Sequence, residues 1–183
     1  MNIVANICLV YLSLSACVLQ ATTRPAPEVR PNVVIVIADD QTWSDAGCYG
    51  NSDVNTPNID QLAKEGLKFN LAFTATAMCS PTRQQLYTGL FPVRSGAYPN
   101  HSQVRKGTQS FVHYFKEAGY RVGLCGKRHI GPADSFPFTN VTQGKLAAFV
   151  ANPEPFLLVY DSTSPHLPWT AGDASQYDPQ SFT

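Results

Sequence analysis

A cysteine and an arginine lie four residues apart in the stretch Cys79-Ser80-Pro81-Thr82-Arg83. Pro81 suits the first position of a helix, because its missing N–H costs nothing there. Good helix formers follow, and Gly89 predicts the end of that helix. Side chains four positions apart share a helix face, so we expect Arg83 to lie over the group at position 79. Helix N-termini attract oxyanions, so the stretch predicts a nucleophile beside an anion-binding site.

Two adjacent carboxylates, Asp39 and Asp40, follow the apolar, largely β-branched run 33–38. Such a run predicts a central strand that is buried on both faces. Paired carboxylates at the end of a strand can bind a hard cation, which prefers oxygen ligands. An isolated Asp-Asp pair more often caps a turn, but the strand before it and the cysteine motif favour a Ca²⁺ site.

Lys127 and His129 follow a predicted strand over 120–125, at alternate positions of the chain. If this segment is extended, alternation points both side chains the same way and turns Arg128 away. Together with Arg83 they could neutralise the oxygens of a bound sulfate. An isolated Lys-x-His would instead indicate a solvated loop.

His166 follows a predicted strand over 156–160, in a loop bracketed by Pro165 and Pro168. A single histidine in such a position is usually a surface residue.

The spacing of apolar residues elsewhere predicts a further strand over 67–73 and helices over 57–66, 111–118 and 145–150. Thr56 and Gly66 are predicted to cap the first of these helices. Asp45 and His101 carry no comparable signal.

Strands that alternate with helices indicate an α/β protein with a largely parallel sheet. The aspartates, Lys127 with His129, and His166 each follow the carboxyl end of a predicted strand. Ligands of open α/β sheets bind at this edge, so we expect these separate segments to converge on one crevice.

Composition and the N-terminal segment bound the class of protein. The chain has 183 residues, a formal net charge of +0 and 44% hydrophobic residues, which fits one globular domain and gives no sign of nucleic-acid binding. An uncharged apolar leader predicts a signal peptide over 1–21, a linker over 22–31 and export to the periplasm, cell surface or medium. A lipoprotein leader ending at Cys17, or an uncleaved anchor, are the alternatives. No other transmembrane span is expected.

Of the five cysteines, two fall in the predicted leader, and Cys48, Cys79 and Cys125 remain. If Cys79 is chemically converted, Cys48 and Cys125 are left as a candidate disulfide. Two unpaired, buried thiols are the alternative that we favour, because nothing in the sequence indicates that they meet.

The Cys-x-Pro-x-Arg stretch resembles the motif of type I sulfatases. The run Gly126-Lys127-Arg128-His129-Ile130-Gly131 and the Pro-His-x-Pro-Trp loop around His166 resemble two further elements of that family, and the resemblance covers about residues 32–169. It implies an alkaline-phosphatase-like α/β fold with a largely parallel sheet sandwiched by helices. It also implies a sulfuric ester or sulfamate hydrolase that acts on sulfated glycans.

The resemblance further implies that Cys79 is oxidised to formylglycine by a formylglycine-generating or anaerobic sulfatase-maturing enzyme. One hydroxyl of the hydrated aldehyde would attack sulfur, and loss of a proton from the other would later expel the sulfate. The implied catalytic residues are residue 79, Arg83, Lys127 and His129. Substrate would contact His166, Arg83 and Lys127. One Ca²⁺ ion would be held by Asp39, Asp40 and the modified residue 79.

Among subgroups, the 126–132 run and Phe136-Pro137-Phe138 resemble heparan N-sulfatases. Residues 45–50 and the Pro-His-x-Pro-Trp loop instead resemble general glycan sulfatases of bacteria. The choice between N-sulfo and O-sulfo sugars therefore stays open. The family takes its remaining calcium ligands and a C-terminal subdomain from later segments, so 32–183 is expected to be a truncated N-terminal α/β domain. Alternatives are a phosphohydrolase of the alkaline-phosphatase-like superfamily and a non-catalytic remnant that binds sulfated glycans.

Overall fold

The protein is described by a computed structural model over residues 30–168. Within this range four strands form one parallel sheet in the order β1-β4-β2-β3. The strands are β1 (Val33–Asp39), β2 (Arg121–Gly126), β3 (Thr139–Asn140) and β4 (Phe156–Pro165). The sheet confirms the prediction of a parallel α/β fold.

Helices connect the strands, as parallel neighbours require. They are α1 (Pro57–Glu65), α2 (Cys79–Thr88), α3 (Pro92–Ser95), α4 (Phe111–Glu117) and α5 (Leu146–Ala151). The predicted helices over 57–66, 111–118 and 145–150 are therefore confirmed to within one residue at each end. None of the helices in the described range has the length and apolar character needed to cross a bilayer.

The interior of the sheet is formed by β4, which pairs with β1 on one side and with β2 on the other. Its residues Phe156 to Val159 are all buried, and Leu124 of β2 lies opposite Val159. Apolar runs of this kind suit strands that are covered on both faces. The predicted strands over 120–125 and 156–160 are thus confirmed as β2 and β4, although β4 continues to Pro165.

Helix α2 is fixed to the core by Tyr87, which is 1% exposed. Its ring packs edge-to-face against Phe111 and Phe138, with centroid distances of 5.4 Å in both cases. Full burial of one large side chain stabilises a fold by about 1.5–3 kcal/mol. This packing holds the helix that carries Cys79 and Arg83 against the sheet.

The prediction that residues 33–38 form a central strand buried on both faces is wrong. In the described sheet β1 lies at the edge, and its residues alternate between partial burial and exposure. Val34 and Val36 are 54% and 71% exposed. A continuous β-branched run identifies a strand, but it does not distinguish an edge strand from a central one.

The predicted strand over 67–73 is also wrong, because this segment contains no regular secondary structure. Leu67, Leu71 and Phe73 are all more than three-quarters exposed. Alternating apolar residues stabilise a strand only where a neighbouring strand and a covering layer accept them.

The structure confirms the predicted C-terminal end of α2 and corrects its predicted N-terminal end. Gly89 ends the helix in the left-handed conformation, at φ 68°. The helix begins at Cys79, so Pro81 occupies its third position and not its first. A proline in the first turn still costs no hydrogen bond, because those N–H groups have no partner within the helix.

The three cysteines within the described residues are unpaired, so Cys48 and Cys125 form no disulfide. Cys125 is buried, whereas Cys48 is half-buried, which confirms the expected free thiols but the expected burial only for Cys125. The predicted leader over 1–21 with Cys17, most of the linker over 22–31, and Trp169 lie outside the described residues.

Candidate active site

Three predicted site segments meet at the carboxyl edge of the sheet, around the guanidinium of Arg83. Its Nε and Nη2 atoms donate to the two carboxylate oxygens of Asp161, at 3.0 and 2.7 Å. Nη2 also donates to Asp39 Oδ1 at 3.2 Å. All three residues are less than 5% exposed. The arrangement ties α2 to the end of β1 and to the middle of β4.

Lys127 completes this network from the end of β2. Its ammonium group donates to Asp39 Oδ2, and its backbone N–H donates to the carbonyl oxygen of Asp161 at 3.0 Å. Asp161 therefore holds Arg83 through its side chain and Lys127 through its main chain. The two cations that the sequence predicts for an anion site thus share the carboxylate of Asp39, one on each oxygen.

The approach of β2 to β4 at this point requires Gly126. The residue has φ 99°, which other L-residues rarely adopt, and a Cβ placed on it would lie 1.9 Å from the carbonyl oxygen of Asp161. Glycine allows both the conformation and the close contact. The position of Lys127 thus depends on the glycine before it.

The charges of this cluster shift the pKa values of its members. Burial alone would raise the pKa of Asp39, but the hydrogen bond from Lys127 and the charges of Arg83 and Lys127 hold it below its usual value. Burial alone would lower the pKa of Arg83, but Asp161 and Asp39 raise it. Burial raises the pKa of Asp161 above its usual value, although the hydrogen bond and the charge of Arg83 act to lower it.

Asp39, Asp40 and Cys79 form a candidate cation site, because one ligand atom from each lies within 4.8 Å of the others. Two carboxylates suit Ca²⁺, and an oxygen at position 79 would add a third hard ligand. Ca²⁺ takes about six to eight oxygens, so the described residues supply part of a coordination shell. The donor set fits the ion implied by the sequence.

His129 and His166 have different partners at this edge. His129 Nε2 lies 2.7 Å from His101 Nδ1. His166 Nε2 lies 3.6 Å from Asp40 Oδ2, at the distance of an ion pair when the histidine is protonated. His166 therefore borders the cation site, as its position after β4 predicts.

We expected Lys127 and His129 to point the same way if the segment was extended. The structure shows that this expectation is wrong. His129 has φ 43°, which is left-handed and not extended. Lys127 consequently binds Asp39, whereas His129 contacts His101. Alternation along a strand does not continue into a loop with positive φ values.

Two site residues were missed by sequence reasoning. Asp161 could have been found, because it directly follows the predicted apolar strand over 156–160, and a carboxylate buried there needs a partner. His101 gives no such signal. It follows α3 in an irregular loop, and only the tertiary structure brings it to His129.

Comparison with known proteins shows the family to which this chain belongs. A family model described as Sulfatase matches residues 31–178. The chain belongs to the sulfatase family. Among its relatives is the ulvan-active sulfatase of Formosa agariphila, which is 38% identical over 75% of this chain and 30% of that protein. The matched range of this sulfatase includes the whole of the cluster described above.

Solved structures share the fold. The structure of BT4656 with D-glucosamine-2-N,6-O-disulfate has a TM-score of 0.69 and 26% identity, covering 76% of this chain and 35% of that one. The phosphonate monoester hydrolase of Agrobacterium radiobacter has a TM-score of 0.68 at 19% identity, covering 82% and 44%, and this likeness shows the fold alone. The parallel sheet of this sulfatase is thus of the alkaline-phosphatase-like type. The chain spans about a third of the length of these sulfatase relatives.

Proposed function

We propose that this sulfatase hydrolyses sulfate esters or sulfamates of glycans through a formylglycine formed from Cys79. The observation that carries the proposal is the juxtaposition of Cys79 with Asp39 and Asp40, which places a convertible thiol beside two carboxylates. Membership of the sulfatase family and the adjoining cations Arg83 and Lys127 support it. The hydrated aldehyde would supply one hydroxyl to attack sulfur and a second whose deprotonation releases sulfate.

We further propose that one Ca²⁺ ion is held by Asp39, Asp40 and the modified residue 79. Both oxygens of Asp39 already accept a hydrogen bond from a cation, but each carboxylate oxygen has a second lone pair for a metal. Asp40 has its backbone at φ 61° and its side chain largely exposed. Its carboxylate is thus available from the solvent side of the site, and the ion would supply positive charge toward a sulfate oxygen.

Arg83 and Lys127 are proposed to bind the sulfate group. Both cations bind Asp39, which has a carboxylate oxygen within 4.8 Å of the sulfur of Cys79, and Asp161 also fixes Arg83 before substrate arrives. Donors that are already oriented lose little reorganisation energy as negative charge develops on the substrate. His166, which borders Asp40, is proposed to contact the substrate.

His129 is proposed to transfer a proton at the same edge. Burial, together with the charges of His101, Lys127 and Arg83, lowers the pKa of His129 below its ordinary value. The imidazole is therefore neutral at pH 7 and can accept a proton.

The substrate class is proposed from the names of the relatives. One relative is named an ulvan-active sulfatase, and BT4656 is described with a disulfated glucosamine as its substrate. We propose a sulfated carbohydrate for this chain as well, with N-sulfo and O-sulfo groups as alternatives. Export through a leader over 1–21 and maturation by a formylglycine-generating or anaerobic sulfatase-maturing enzyme complete the proposal.

The decisive experiment is mass spectrometry of the peptide that contains Cys79, after co-expression with a formylglycine-generating enzyme. We expect an aldehyde at position 79 that reacts with a hydrazide probe, and none in Cys79→Ala. Cys48→Ala is the matched control and should keep the aldehyde. A thiol alone at position 79 would contradict the proposal, and turnover of phosphate esters in preference to sulfate esters would favour a phosphohydrolase instead.

A further inference from the structure

His101 and His129 form a close pair at the carboxyl edge of the sheet. His129 Nε2 and His101 Nδ1 are 2.7 Å apart, and the ring centroids are 4.6 Å apart. At this distance one nitrogen must carry the shared proton and the other must accept it. Once the proton position on His101 is set, the hydrogen bond therefore determines which nitrogen of His129 carries a proton.

The loop that carries His101 is anchored to the first turn of α2, next to Cys79. The side chain of Asn100 accepts a hydrogen bond from Ser80 N at 3.4 Å. Ser102 O accepts one from Ser80 Oγ at 3.2 Å. Both neighbours of His101 thus contact the residue that follows Cys79.

A buried amide binds this loop to the loop that carries His129. Gln84, with 0% exposure, donates through Nε2 to Ser102 O at 2.9 Å. Its Oε1 accepts from the N–H groups of Val104 and Gly131, at 3.1 and 3.3 Å. A direct bond of 2.9 Å from Val104 N to Gly131 O joins the same loops. The two histidines are therefore carried by backbones that are fixed to each other.

Both histidines also have left-handed backbone conformations, with φ 63° at His101 and φ 43° at His129. Such conformations are uncommon for residues other than glycine and persist where the surrounding structure imposes them. Here the Gln84 amide and the contacts of Ser80 impose them. The ring contact is thus a product of two constrained loops.

We propose that His101 is a positioning residue of the active site, which orients the His129 ring and fixes its tautomer through the hydrogen bond between them. This role rests on the proposed function of His129 in proton transfer. His101 needs no contact with substrate for it, because its effect passes through His129. It resembles the way in which a third group orients the base of a catalytic triad.

The charges around His129 favour its neutral form. Lys127 and Arg83 act on His129 with positive charge, and Asp39 acts with negative charge. Protonation of both rings would place two N–H groups against each other at 2.7 Å. The pair can therefore take up one proton without losing its hydrogen bond, but not two.

The hydrogen bond can be measured without catalysis, by NMR of the full chain labelled with ¹⁵N-histidine. The chain has four histidines, so His113→Gln and His166→Gln suffice to assign the pair. We expect a through-bond ¹⁵N–¹⁵N coupling between the two rings and a single tautomer of His129. Absence of the coupling, or a mixture of His129 tautomers in the unsubstituted chain, would overturn the proposal.

Substitutions at His101 separate positioning from structure. The amide nitrogen of His101→Asn lies near the place of Nδ1, and asparagine tolerates the left-handed backbone, so the single tautomer of His129 should be retained. His101→Gln puts its amide one bond further away, and His101→Ala has none, so both should give mixed tautomers. Equal tautomer populations of His129 in all three variants would overturn the proposal.

The same variants test the consequence for turnover of a sulfate ester. We expect kcat to fall about 10-fold or more in His101→Ala and His101→Gln, which corresponds to about 1.4 kcal/mol, with KM nearly unchanged and His101→Asn close to the unsubstituted chain. His113→Gln, whose ring contacts Ser110 and Asp134, is the control and should not change kcat. A uniform kcat across the His101 variants would overturn the role. An absence of turnover in every form, with the ring coupling present, would contradict the proposed function alone.

Discussion

Arg83 and Asp161 form a buried, bidentate ion pair between residues that are 78 positions apart in the chain. The pair joins the helix that begins at Cys79 to the interior strand β4. Asp39 shares the same guanidinium, so one side chain connects α2, the strand end with the paired carboxylates and the interior strand β4. The stability of the site and its geometry therefore depend on the same contacts.

Asp161→Asn should destabilise the fold by about 3 kcal/mol or more, because it leaves the buried charge of Arg83 without one of its partners. Unfolding by urea, followed by circular dichroism, measures the change. The matched control is Glu154→Gln, since Glu154 forms an ion pair with Arg121 but is 65% exposed, and exposed pairs contribute about 0–1 kcal/mol. If both variants lose the same free energy of unfolding, burial does not increase the contribution of the Arg83–Asp161 pair to stability.

Gly126→Ala should destabilise the protein by more than a left-handed backbone alone accounts for, because the new methyl group would overlap the carbonyl of Asp161. Gly107→Ala is the matched control, since Gly107 has φ 85° and open space around its Cβ position. Gly107→Ala should lower the free energy of unfolding by about 1–2 kcal/mol. Thermal unfolding compares the stabilities of the two variants. If Gly126→Ala is as stable as Gly107→Ala, the close approach of Gly126 to Asp161 is contradicted.

Asp40→Asn should weaken binding of Ca²⁺ about tenfold or more, because it removes one of the negative ligands of the proposed site. The loss in stability should be small, since Asp40 is 58% exposed. Isothermal titration calorimetry with Ca²⁺ measures the affinity. Asp53→Asn, at an exposed aspartate outside the cluster, should bind as the unsubstituted chain does, and similar weakening in both would point to nonspecific charge.

The stability of the protein should fall as the pH drops below about 6.5, in part because of His129. The pKa of His129 in the fold lies below its ordinary value of 6.5, so the unfolded chain binds more protons in the interval between these values. The contribution of His129 to the free energy of unfolding is complete above pH 6.5, and it is lost as the pH falls through the lower pKa of the folded state. Urea midpoints across this range should depend less on pH in His129→Gln, and an unchanged dependence would refute the assignment.

Local patterns predicted the elements well where short-range chemistry decides them. Gly89 ends α2 because it reaches the left-handed conformation without strain, and the apolar run before Asp161 forms a buried strand. The sequence also predicted that Asp39, Lys127 and His166 follow strand ends. Parallel strands present their carboxyl ends at one edge, so their convergence followed from the fold class.

Local patterns failed where a neighbour that is distant in the chain decides the outcome. Residues 33–38 read as a central strand, but the position of β1 in the described sheet depends on which strands pair with it. Residues 67–73 alternate as a strand does and yet form none. Strand propensity reports how a residue fits a pleated surface, and it does not supply that surface.

The sequence by itself determined which reactive groups this sulfatase carries: the thiol at the start of a helix, Arg83 one turn later, and the paired carboxylates and Lys127 at strand ends. The tertiary structure alone decided their partners, since Arg83 lies against Asp161 and His129 against His101. Residue type and spacing fix what a side chain can donate or accept. Which group meets it is decided by loops and strands that pack from elsewhere in the chain, and no local pattern encodes that contact.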